Sequence, residues 1–245
     1  MTEFGPVAEV YDELMSSVPY RMWVGYYLLL LSTLNAKPKK ILDVCCGTGK
    51  MARMLSKEGF QVDGFDLSAP MIEIAQQRAI DEQVDGAFVV ADAAHFNLDQ
   101  QYESAYSFFD SLNYITEPEK LQLAFHRVSQ HIQPGGTFIF DMNTAYAFEQ
   151  KMFDQKKLSP RAKVRYDWKG NWNPETRLIH VNMTFWAGDR EFKEVHVQRA
   201  YDLWEVREML NRAGFDTVDV YHAYTLDPPR AKSDRIHFAC VRGKP

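Results

Sequence analysis

The segment Leu42–Gly49, with the sequence LDVCCGTG, most constrains the fold of this chain. Its first three residues end a short apolar run at residues 41–44, and a helical pattern begins directly after the segment at Lys50. Glycine in such a loop lets a ligand approach the backbone closely, and the first turn of the following helix offers free N–H groups. The segment therefore predicts a strand, a ligand-binding turn and a helix at the edge of an α/β sheet.

Strand and helix patterns alternate from this loop to residue 141. The first stretch of the chain is helical in pattern at residues 7–15 and 20–34, with a break at Pro19. Predicted strands cover residues 41–44, 61–65, 87–90, 105–109 and 137–141, and predicted helices cover residues 50–58, 69–83 and 118–131. Ser68 is a predicted N-cap, and residues 134–136 are predicted to form a turn. Such alternation predicts a parallel sheet with helices on both faces.

Residues 163–200 break this alternation, because they form two or three strand patterns with no helix between them. Their apolar residues, including Val195 and Val197, share one parity, and polar residues such as Glu194 and His196 share the other. A helix at residues 203–213 precedes two strands, 215–223 and 235–241, whose connection is too short for a crossover helix. These two strands are predicted to form an antiparallel hairpin at the sheet edge.

The chain is thus predicted to be an α/β protein with a Rossmann-like, doubly wound sheet. The sheet is mostly parallel with an antiparallel C-terminal edge hairpin, and residues 1–145 and 203–245 form it together with an N-terminal helical lid. Residues 146–202 are predicted to be an inserted antiparallel β subdomain over the active site.

Charge and cysteine content narrow the classes of partner. The formal net charge of the 245 residues is −5, and no run of five or six basic residues occurs, so nucleic acid and anionic membranes are not favoured. The longest apolar run, residues 22–31, is too short to span a bilayer. The cysteines Cys45, Cys46 and Cys240 lack a CxxC spacing, so no metal site is predicted and a reducing, cytoplasmic location is expected. A monomer and a homodimer are both compatible with the sequence.

Two acidic residues extend the glycine loop into a nucleoside site. Asp66 ends the second predicted strand, 19 residues after Gly47, and can accept hydrogen bonds from both hydroxyls of a ribose. Asp92 follows the third strand and can accept the amino group of adenine. The same spacing fits the dinucleotide fingerprint, so NAD is an alternative to S-adenosylmethionine. Asp43, just before the loop, would repel a pyrophosphate and attract the ammonium of a methionine moiety.

These residues resemble the class I S-adenosylmethionine-dependent methyltransferases, over about residues 40–145 and 203–242. The motifs that carry the resemblance are LDVCCGTG at Leu42–Gly49, GFDLS at Gly64–Ser68, ADA at Ala91–Ala93 and QPGGT at Gln133–Thr137. The segments YDELM at Tyr11–Met15 and EVH at Glu194–His196 resemble the small-molecule branch of that family, whose inserted sheet covers the active site. Amine-methylating sugar and amino-acid enzymes belong to that branch.

The resemblance implies S-adenosyl-L-methionine as cofactor and assigns its contacts residue by residue. The implied cofactor-binding set is Asp43 and Gly47 at the methionine end, Asp66 at the ribose, Leu67, Asp92 and Ala93 at the adenine, Phe109 beside the sulfonium, and Cys45 and Met71 as further contacts. Cys45 stands where the family usually has its first glycine, so its φ angle must be one that a side chain tolerates.

Three residues are candidates for catalysis at the methyl acceptor. Asn113 lies in the loop after the fourth strand, and His196 has Glu194 two residues away on the same face, which could tune it as a base. Tyr11 belongs to a lid in which Tyr20 and Trp23 are further aromatic candidates. A solvated or hydrogen-bonded structural histidine remains an alternative for His196, and a surface ion pair is an alternative to acceptor binding for Arg199.

The predicted function is methyl transfer to a nitrogen or oxygen of a small molecule. Two alternatives remain open from the sequence, namely an NAD-dependent oxidoreductase on the same kind of sheet and a non-catalytic protein that binds an adenosyl ligand.

Overall fold

A computed structural model describes residues 4–244, which form two β-sheets with helices between and around them. The larger sheet contains β1 (Lys40–Val44), β2 (Gln61–Asp66), β3 (Phe88–Val90), β4 (Tyr102–Ser107), β5 (Ile132–Asn143), β10 (Phe215–His222) and β11 (Arg235–Arg242). Its strand order is β10-β11-β5-β4-β1-β2-β3, with β1 to β5 parallel. β11 runs antiparallel to β5 and to β10, which confirms the predicted edge hairpin.

Helices cover both faces of this sheet, as the alternating pattern predicts. The helices are α1 (Tyr11–Leu14), α2 (Tyr20–Thr33), α3 (Lys50–Lys57), α4 (Ala69–Glu82), α5 (Pro118–His131), α6 (Ala145–Glu149) and α7 (Leu203–Arg212). Apolar residues of α2, α3 and α4 form one buried cluster with Ile41, Val62 and Tyr106, and those of α5 and α7 form another with Leu42 and Phe138. Because neighbours on a strand point to opposite faces, Ile41 and Leu42 belong to different cores.

The second sheet is antiparallel and has the order β6-β7-β8-β9. Its strands are β6 (Gln155–Lys157), β7 (Val164–Asn173), β8 (Leu178–Ala187) and β9 (Arg190–Arg199), all of which lie inside residues 146–202. Val7, Leu14 and Met15 of the N-terminal segment pack with Val181 and Phe185 of β8 in a third apolar cluster. The N-terminal segment therefore covers the inner face of the inserted sheet.

The buried face of β9 is formed by polar residues. The turn between β8 and β9 has two residues, so odd-numbered residues of β8 pair with even-numbered residues of β9, as Val181 does with His196. His196 and Gln198 are buried, whereas Val195 is 49% exposed. The polar parity of β9 thus shares the core face with the apolar parity of β8.

Several element boundaries also differ from the predictions. β4 ends at Ser107, before Phe108 and Phe109, because the next residues turn into the left-handed region. The predicted turn at residues 134–136 is part of β5, and α6, β6 and a 3₁₀ helix at Ser111–Tyr114 were not predicted. The start of α4 agrees with the prediction, since the Ser68 hydroxyl accepts a hydrogen bond from the Met71 amide. Across residues 4–244, no helix combines the length and apolar character needed to cross a membrane.

Candidate active site

A cavity of about 700 Å³ lies between the carboxyl ends of β1, β2 and β4 and the inner face of the second sheet. The N-terminal segment contributes Val7, Tyr11 and Leu14 to its lining. This volume is within the range of roughly 300–1,000 Å³ that is usual for small-molecule sites. The cavity is therefore large enough for small ligands, and it is bounded by the larger sheet, the second sheet and the N-terminal segment.

The glycine loop at the end of β1 has an unusual backbone. Cys45, Gly47 and Gly49 all have positive φ angles, of 61°, 54° and 67°. A Cβ atom on Gly49 would lie 2.9 Å from the Phe88 ring, so only glycine fits between the loop and β3. Cys45 adopts the left-handed conformation with a side chain, which costs about 1–2 kcal/mol relative to glycine. Cys45 therefore takes a conformation that glycine adopts more readily.

Asp66 fixes this loop to the end of β2. One of its carboxylate oxygens accepts the Gly47 amide at 2.8 Å, and the other accepts the Ser68 amide at 2.9 Å. Burial raises the pKa of Asp66, and the backbone N–H groups that it accepts oppose that rise. Each carboxylate oxygen can accept more than one hydrogen bond, so Asp66 retains acceptor capacity toward the cavity.

Asp43 lies at the base of the cavity and is almost fully buried. Tyr106 donates a 2.7 Å hydrogen bond to it from β4. Burial, together with the nearby charge of Asp66, raises the pKa of Asp43 to about 8, although the Tyr106 hydrogen bond acts in the opposite direction. A cation placed next to Asp43 would favour its ionised form.

The other end of the cavity follows β3. Asp92 accepts the Ala94 amide at 2.8 Å and lies 3.1 Å from the His95 ring nitrogen. Burial acts to raise the pKa of Asp92, but these two partners outweigh it and the net shift is downward. Leu67 nearby is 70% exposed and lines the cavity beside Met71. Asp92 is thus a charged acceptor next to an apolar surface.

All nine residues of the predicted cofactor-binding set line this one cavity. They are Asp43, Cys45, Gly47, Asp66, Leu67, Met71, Asp92, Ala93 and Phe109.

The loop after β4 is held in a strained conformation. Phe109 and Asp110 have positive φ angles of 71° and 48°. Their amides both donate to the Asp141 carboxylate, at 2.7 and 3.0 Å, and Arg235 forms ion pairs with Asp141 and Asp110. This network directs Phe109 into the cavity, where its ring lies 5.0 Å from that of Trp23.

Two residues predicted to contact the acceptor lie elsewhere. Asn113 is fully buried outside the cavity lining, and its amide group donates to the carbonyls of Asn143 and Arg199 while accepting the Asn143 amide. It joins β5 to β9 instead of facing the acceptor. Arg199 also lies outside the cavity lining, against the Tyr201 ring, so its expected role in acceptor binding is not supported.

His196 and Tyr11, the other two catalytic candidates, do line the cavity. His196 is 3% exposed, and its ring nitrogens lie 2.8 Å from Glu194 and 3.0 Å from the Tyr114 hydroxyl. Burial raises the pKa of Tyr11, and the surrounding tyrosines and carboxylates raise it further. Tyr11 is therefore a neutral hydrogen-bond donor at physiological pH.

The sequence did not identify Phe4 as a site residue, and it gave Tyr114 only as a member of the loop after the fourth strand. The Phe4 ring packs on Tyr11, Tyr114 and His196, with centroid distances of 4.6–6.0 Å. Of these contacts, the one with His196 joins residues that are almost 200 positions apart. No local pattern signals them, whereas the burial of His196 would have followed from the length of the turn before β9.

The far wall of the cavity is apolar and belongs to the inserted sheet and the segment before it. It includes Phe153, Trp168, Met183 and Phe185. The acidic and basic residues of the lining are five aspartates, Asp43, Asp66, Asp92, Asp110 and Asp234, and two cations, Lys50 and Arg235. Within residues 4–244, no three His, Cys, Asp or Glu side chains are grouped so as to hold a metal ion. The cavity has the character of an acidic, aromatic site for a small molecule.

Comparisons with known proteins agree with this geometry. A family model described as a methyltransferase domain matches residues 41–136. The putative methyltransferase YqeM of Bacillus subtilis is 32% identical over 243 residues, which cover 97% of this chain and 96% of that protein. A dTDP-3-amino-3,4,6-trideoxy-α-D-glucopyranose N,N-dimethyltransferase of Streptomyces venezuelae is 28% identical over 190 residues, or 76% of this chain and 78% of that protein.

The fold has a close counterpart among solved structures. The crystal structure of an S-adenosylmethionine-dependent methyltransferase from Clostridium acetobutylicum superposes with a TM-score of 0.86 at 24% identity, covering 98% of both chains. These similarities favour the methyltransferase interpretation over the dinucleotide-dependent oxidoreductase that the loop spacing also allowed.

Proposed function

This chain belongs to the S-adenosylmethionine-dependent methyltransferases, and from that premise we propose that it methylates an amine nitrogen of a small, partly apolar molecule. The observation that carries the proposal is the single cavity in which the Asp43–Asp66–Asp92 edge faces His196, Tyr114 and the apolar wall of the second sheet. One enclosure can thus hold a methyl donor and an acceptor next to each other.

The residues at the edge of the larger sheet fit S-adenosylmethionine. We assign the methionine ammonium to Asp43, the two ribose hydroxyls to Asp66 and the adenine amino group to Asp92. Leu67, next to Asp92, offers an exposed apolar side chain to the adenine ring. Bound there, S-adenosylmethionine would supply an electrophilic methyl group on a sulfonium. An ammonium placed there favours the ionised form of Asp43 and is held by it, whereas a pyrophosphate would oppose that ionisation and gain no ion pair.

The protein's own contribution to methyl transfer would be alignment and exclusion of water. An in-line displacement needs the nucleophile, the methyl carbon and the sulfur in one line. Holding the reactants in this alignment supplies a large part of the rate enhancement. Phe109 is fixed by the Asp141–Arg235 network, and Tyr11 is fixed by the Phe4 ring. Both face the cavity and are suited to hold the reacting groups in place.

The lining favours an amine over an anionic acceptor. Arg235, one of the two cations in the lining, is already paired with Asp110 and Asp141, so it offers little net positive charge to a phosphate or carboxylate. Asp110 and Asp141 together carry one more negative charge than Arg235 offsets, and Asp234 also lines the cavity. The Streptomyces venezuelae relative is named as a dimethyltransferase of an amino sugar, which supports the same class of acceptor. A hydroxyl acceptor is the second candidate, because His196 and Tyr114 can also take a proton from an oxygen.

A transfer assay tests the proposal. The protein would be incubated with S-adenosylmethionine labelled in the methyl group and with a panel of aliphatic amines, amino sugars, amino acids and phenols. We expect the label in an amine product, with one S-adenosylhomocysteine formed per methyl group. Labelling of phenols alone would support the second candidate, and no labelled product from any member of the panel would contradict both.

A further inference from the structure

Tyr114, His196 and Glu194 form a hydrogen-bonded chain from the cavity into the core. The Tyr114 hydroxyl lies 3.0 Å from Nδ1 of His196, and Nε2 of His196 lies 2.8 Å from a carboxylate oxygen of Glu194. The other oxygen of Glu194 accepts the Val7 amide at 3.0 Å. Only Tyr114 and His196 line the cavity, since Glu194 lies behind them.

The hydrogen bonds between Tyr114, His196 and Glu194 all donate in the same direction, from Tyr114 toward Glu194. A carboxylate only accepts hydrogen bonds, so Nε2 of His196 carries the hydrogen that Glu194 accepts. In a neutral imidazole the other nitrogen, Nδ1, then has a lone pair and accepts the Tyr114 hydroxyl hydrogen. The side chains of His196 and Glu194 are 3% and 8% exposed, so water does not compete for these bonds.

We propose that this hydrogen-bonded relay takes the proton from the substrate atom that receives the methyl group. Tyr114 is the catalytic residue, and His196 and Glu194 act through it. The proposal rests on the proposed function, because it names the groups that prepare the amine for transfer. It also requires an acceptor that carries an ionisable proton on the attacking atom.

The proton balance of the step follows from the amine. An aliphatic ammonium has no lone pair, so one N–H bond must break before nitrogen can attack, and its electron pair remains on nitrogen. The proton passes to the Tyr114 oxygen while the hydroxyl proton of Tyr114 passes to Nδ1 of His196. The imidazolium is stabilised by the Glu194 carboxylate. The nitrogen lone pair then forms the bond to the methyl carbon as the carbon–sulfur bond breaks, with its electron pair staying on sulfur, and His196 later returns its proton to solvent.

The residues around His196 leave Tyr114 as the group that can pass a proton from the cavity to it. Phe4 covers His196 with its ring, and Tyr11 remains protonated because burial raises its pKa. The titratable groups bonded to His196 are Glu194 on its own strand and Tyr114 in the 3₁₀ helix, and Tyr11 lies close enough to Tyr114 and Asp110 to be affected by their charges. Of these, Tyr114 alone joins His196 to the cavity by a hydrogen bond.

The kinetic test compares three variants with the wild type. Tyr114→Phe, His196→Gln and Glu194→Gln are expected to lower kcat by about 10²-fold or more, as is usual when general base catalysis is lost. The pH profile of kcat/KM is expected to differ between the wild type and each of the three variants, because each variant lacks one member of the hydrogen-bonded relay. Control variants are His180→Gln on the exposed face of β8 and Tyr221→Phe on the edge strand β10, which should behave as wild type. Unchanged affinity for S-adenosylhomocysteine would show that the site of each variant is folded.

A second readout does not depend on turnover. Nuclear magnetic resonance of ¹⁵N-labelled histidine in the ligand-free protein is expected to show His196 with its hydrogen on Nε2 at pH 7.5, and the Nδ1 resonance should shift in Tyr114→Phe. An active wild type with an equally active Tyr114→Phe variant of the same pH profile would overturn the proton relay but leave the proposed function intact. A wild type inactive on every acceptor would refute the proposed function, and a His196 hydrogen on Nδ1 would then overturn the relay separately.

Discussion

The Tyr106 hydroxyl donates a 2.7 Å hydrogen bond to Asp43 at the base of the cavity, where both side chains are buried. A carboxyl group in this position is poorly solvated, and its pKa is raised to about 8. The end of the site that we assign to the methionine ammonium is therefore largely uncharged at pH 7 until a cation arrives. Binding and ionisation are coupled at this residue.

The first prediction concerns that coupling. At pH 7 the binding of S-adenosylhomocysteine should release a proton from Asp43, because the ammonium favours the carboxylate. Affinity should rise with pH through about 8, where the Asp43 carboxyl group of the free protein ionises, and should fall only at higher pH, where the ligand's own ammonium loses its proton. Titration calorimetry in buffers of different ionisation enthalpy measures the proton count directly. Asp43→Asn should bind about 10- to 100-fold more weakly without proton release. The exposed Asp219→Asn is the control, and binding without proton release by the wild type would contradict the coupling.

The second prediction concerns the ribose. Asp66→Ala removes the acceptor that we assign to both hydroxyls and also frees the amides of Gly47 and Ser68. Each hydrogen bond to an ionised group contributes about 1.5–3 kcal/mol, so affinity for S-adenosylhomocysteine should fall about 10- to 100-fold. Calorimetry on this variant and on Asp85→Ala, an exposed carboxylate, is the measurement. Equal affinities in the two variants would exclude Asp66 from the site.

The third prediction concerns Cys45. Its φ of 61° is one that glycine adopts freely and β-branched residues adopt with strain. Cys45→Gly should keep its affinity for S-adenosylhomocysteine within about twofold, whereas Cys45→Val should lower both the affinity and the melting temperature. Calorimetry and thermal unfolding of the two variants provide the comparison. If Cys45→Val matched the wild type in both, the loop could not have the backbone described here.

The fourth prediction concerns stability. His237 is fully buried against the rings of Tyr26, Tyr224 and Phe108, and neither ring nitrogen has a hydrogen-bond partner among residues 4–244. Burial and the nearby Arg235 lower its pKa well below 6.5. The unfolded chain therefore binds the proton more readily, so the free energy of unfolding falls as pH drops below 6.5, by up to about 1.4 kcal/mol per pH unit.

Replacement of His237 by phenylalanine removes both the unsatisfied ring nitrogens and the pH dependence that the imidazole causes. His237→Phe should raise the free energy of unfolding by about 1–3 kcal/mol at pH 7, because no polar atom is left unsatisfied. The gain should grow as the pH is lowered from 6.5 to 5. Urea unfolding at several pH values, with the exposed His180→Phe as control, tests this, and a destabilised His237→Phe at every pH would contradict it.

The parts of the fold that the sequence predicted are those fixed by local chemistry. The glycine loop, the Ser68 cap and the alternation of strands and helices depend on nearby residues, and they led to the edge where Asp43, Asp66 and Asp92 meet. The end of β4 was misplaced because Phe108 and Phe109 continue the apolar run, although Asp141 holds the Phe109 amide in a turn. That bond connects residues 32 positions apart.

The acceptor side of the cavity was harder to predict for the same reason. His196 was identified by residue type, but its burial against β8 depends on the register that a two-residue turn sets between β8 and β9. Asn113 was chosen for its position after the fourth strand, yet its amide bonds to Asn143 and Arg199. The contact of Phe4 with His196 arises only when the N-terminal segment folds over the inserted sheet.

The most direct measurement of the central claim is a crystal structure of this protein with S-adenosylhomocysteine. We expect the homocysteine ammonium at Asp43, the ribose hydroxyls at Asp66, the adenine amino group at Asp92 and the sulfur facing Tyr114 across the cavity. A ligand bound outside this cavity, or one whose sulfur points away from Tyr114 and His196, would contradict it.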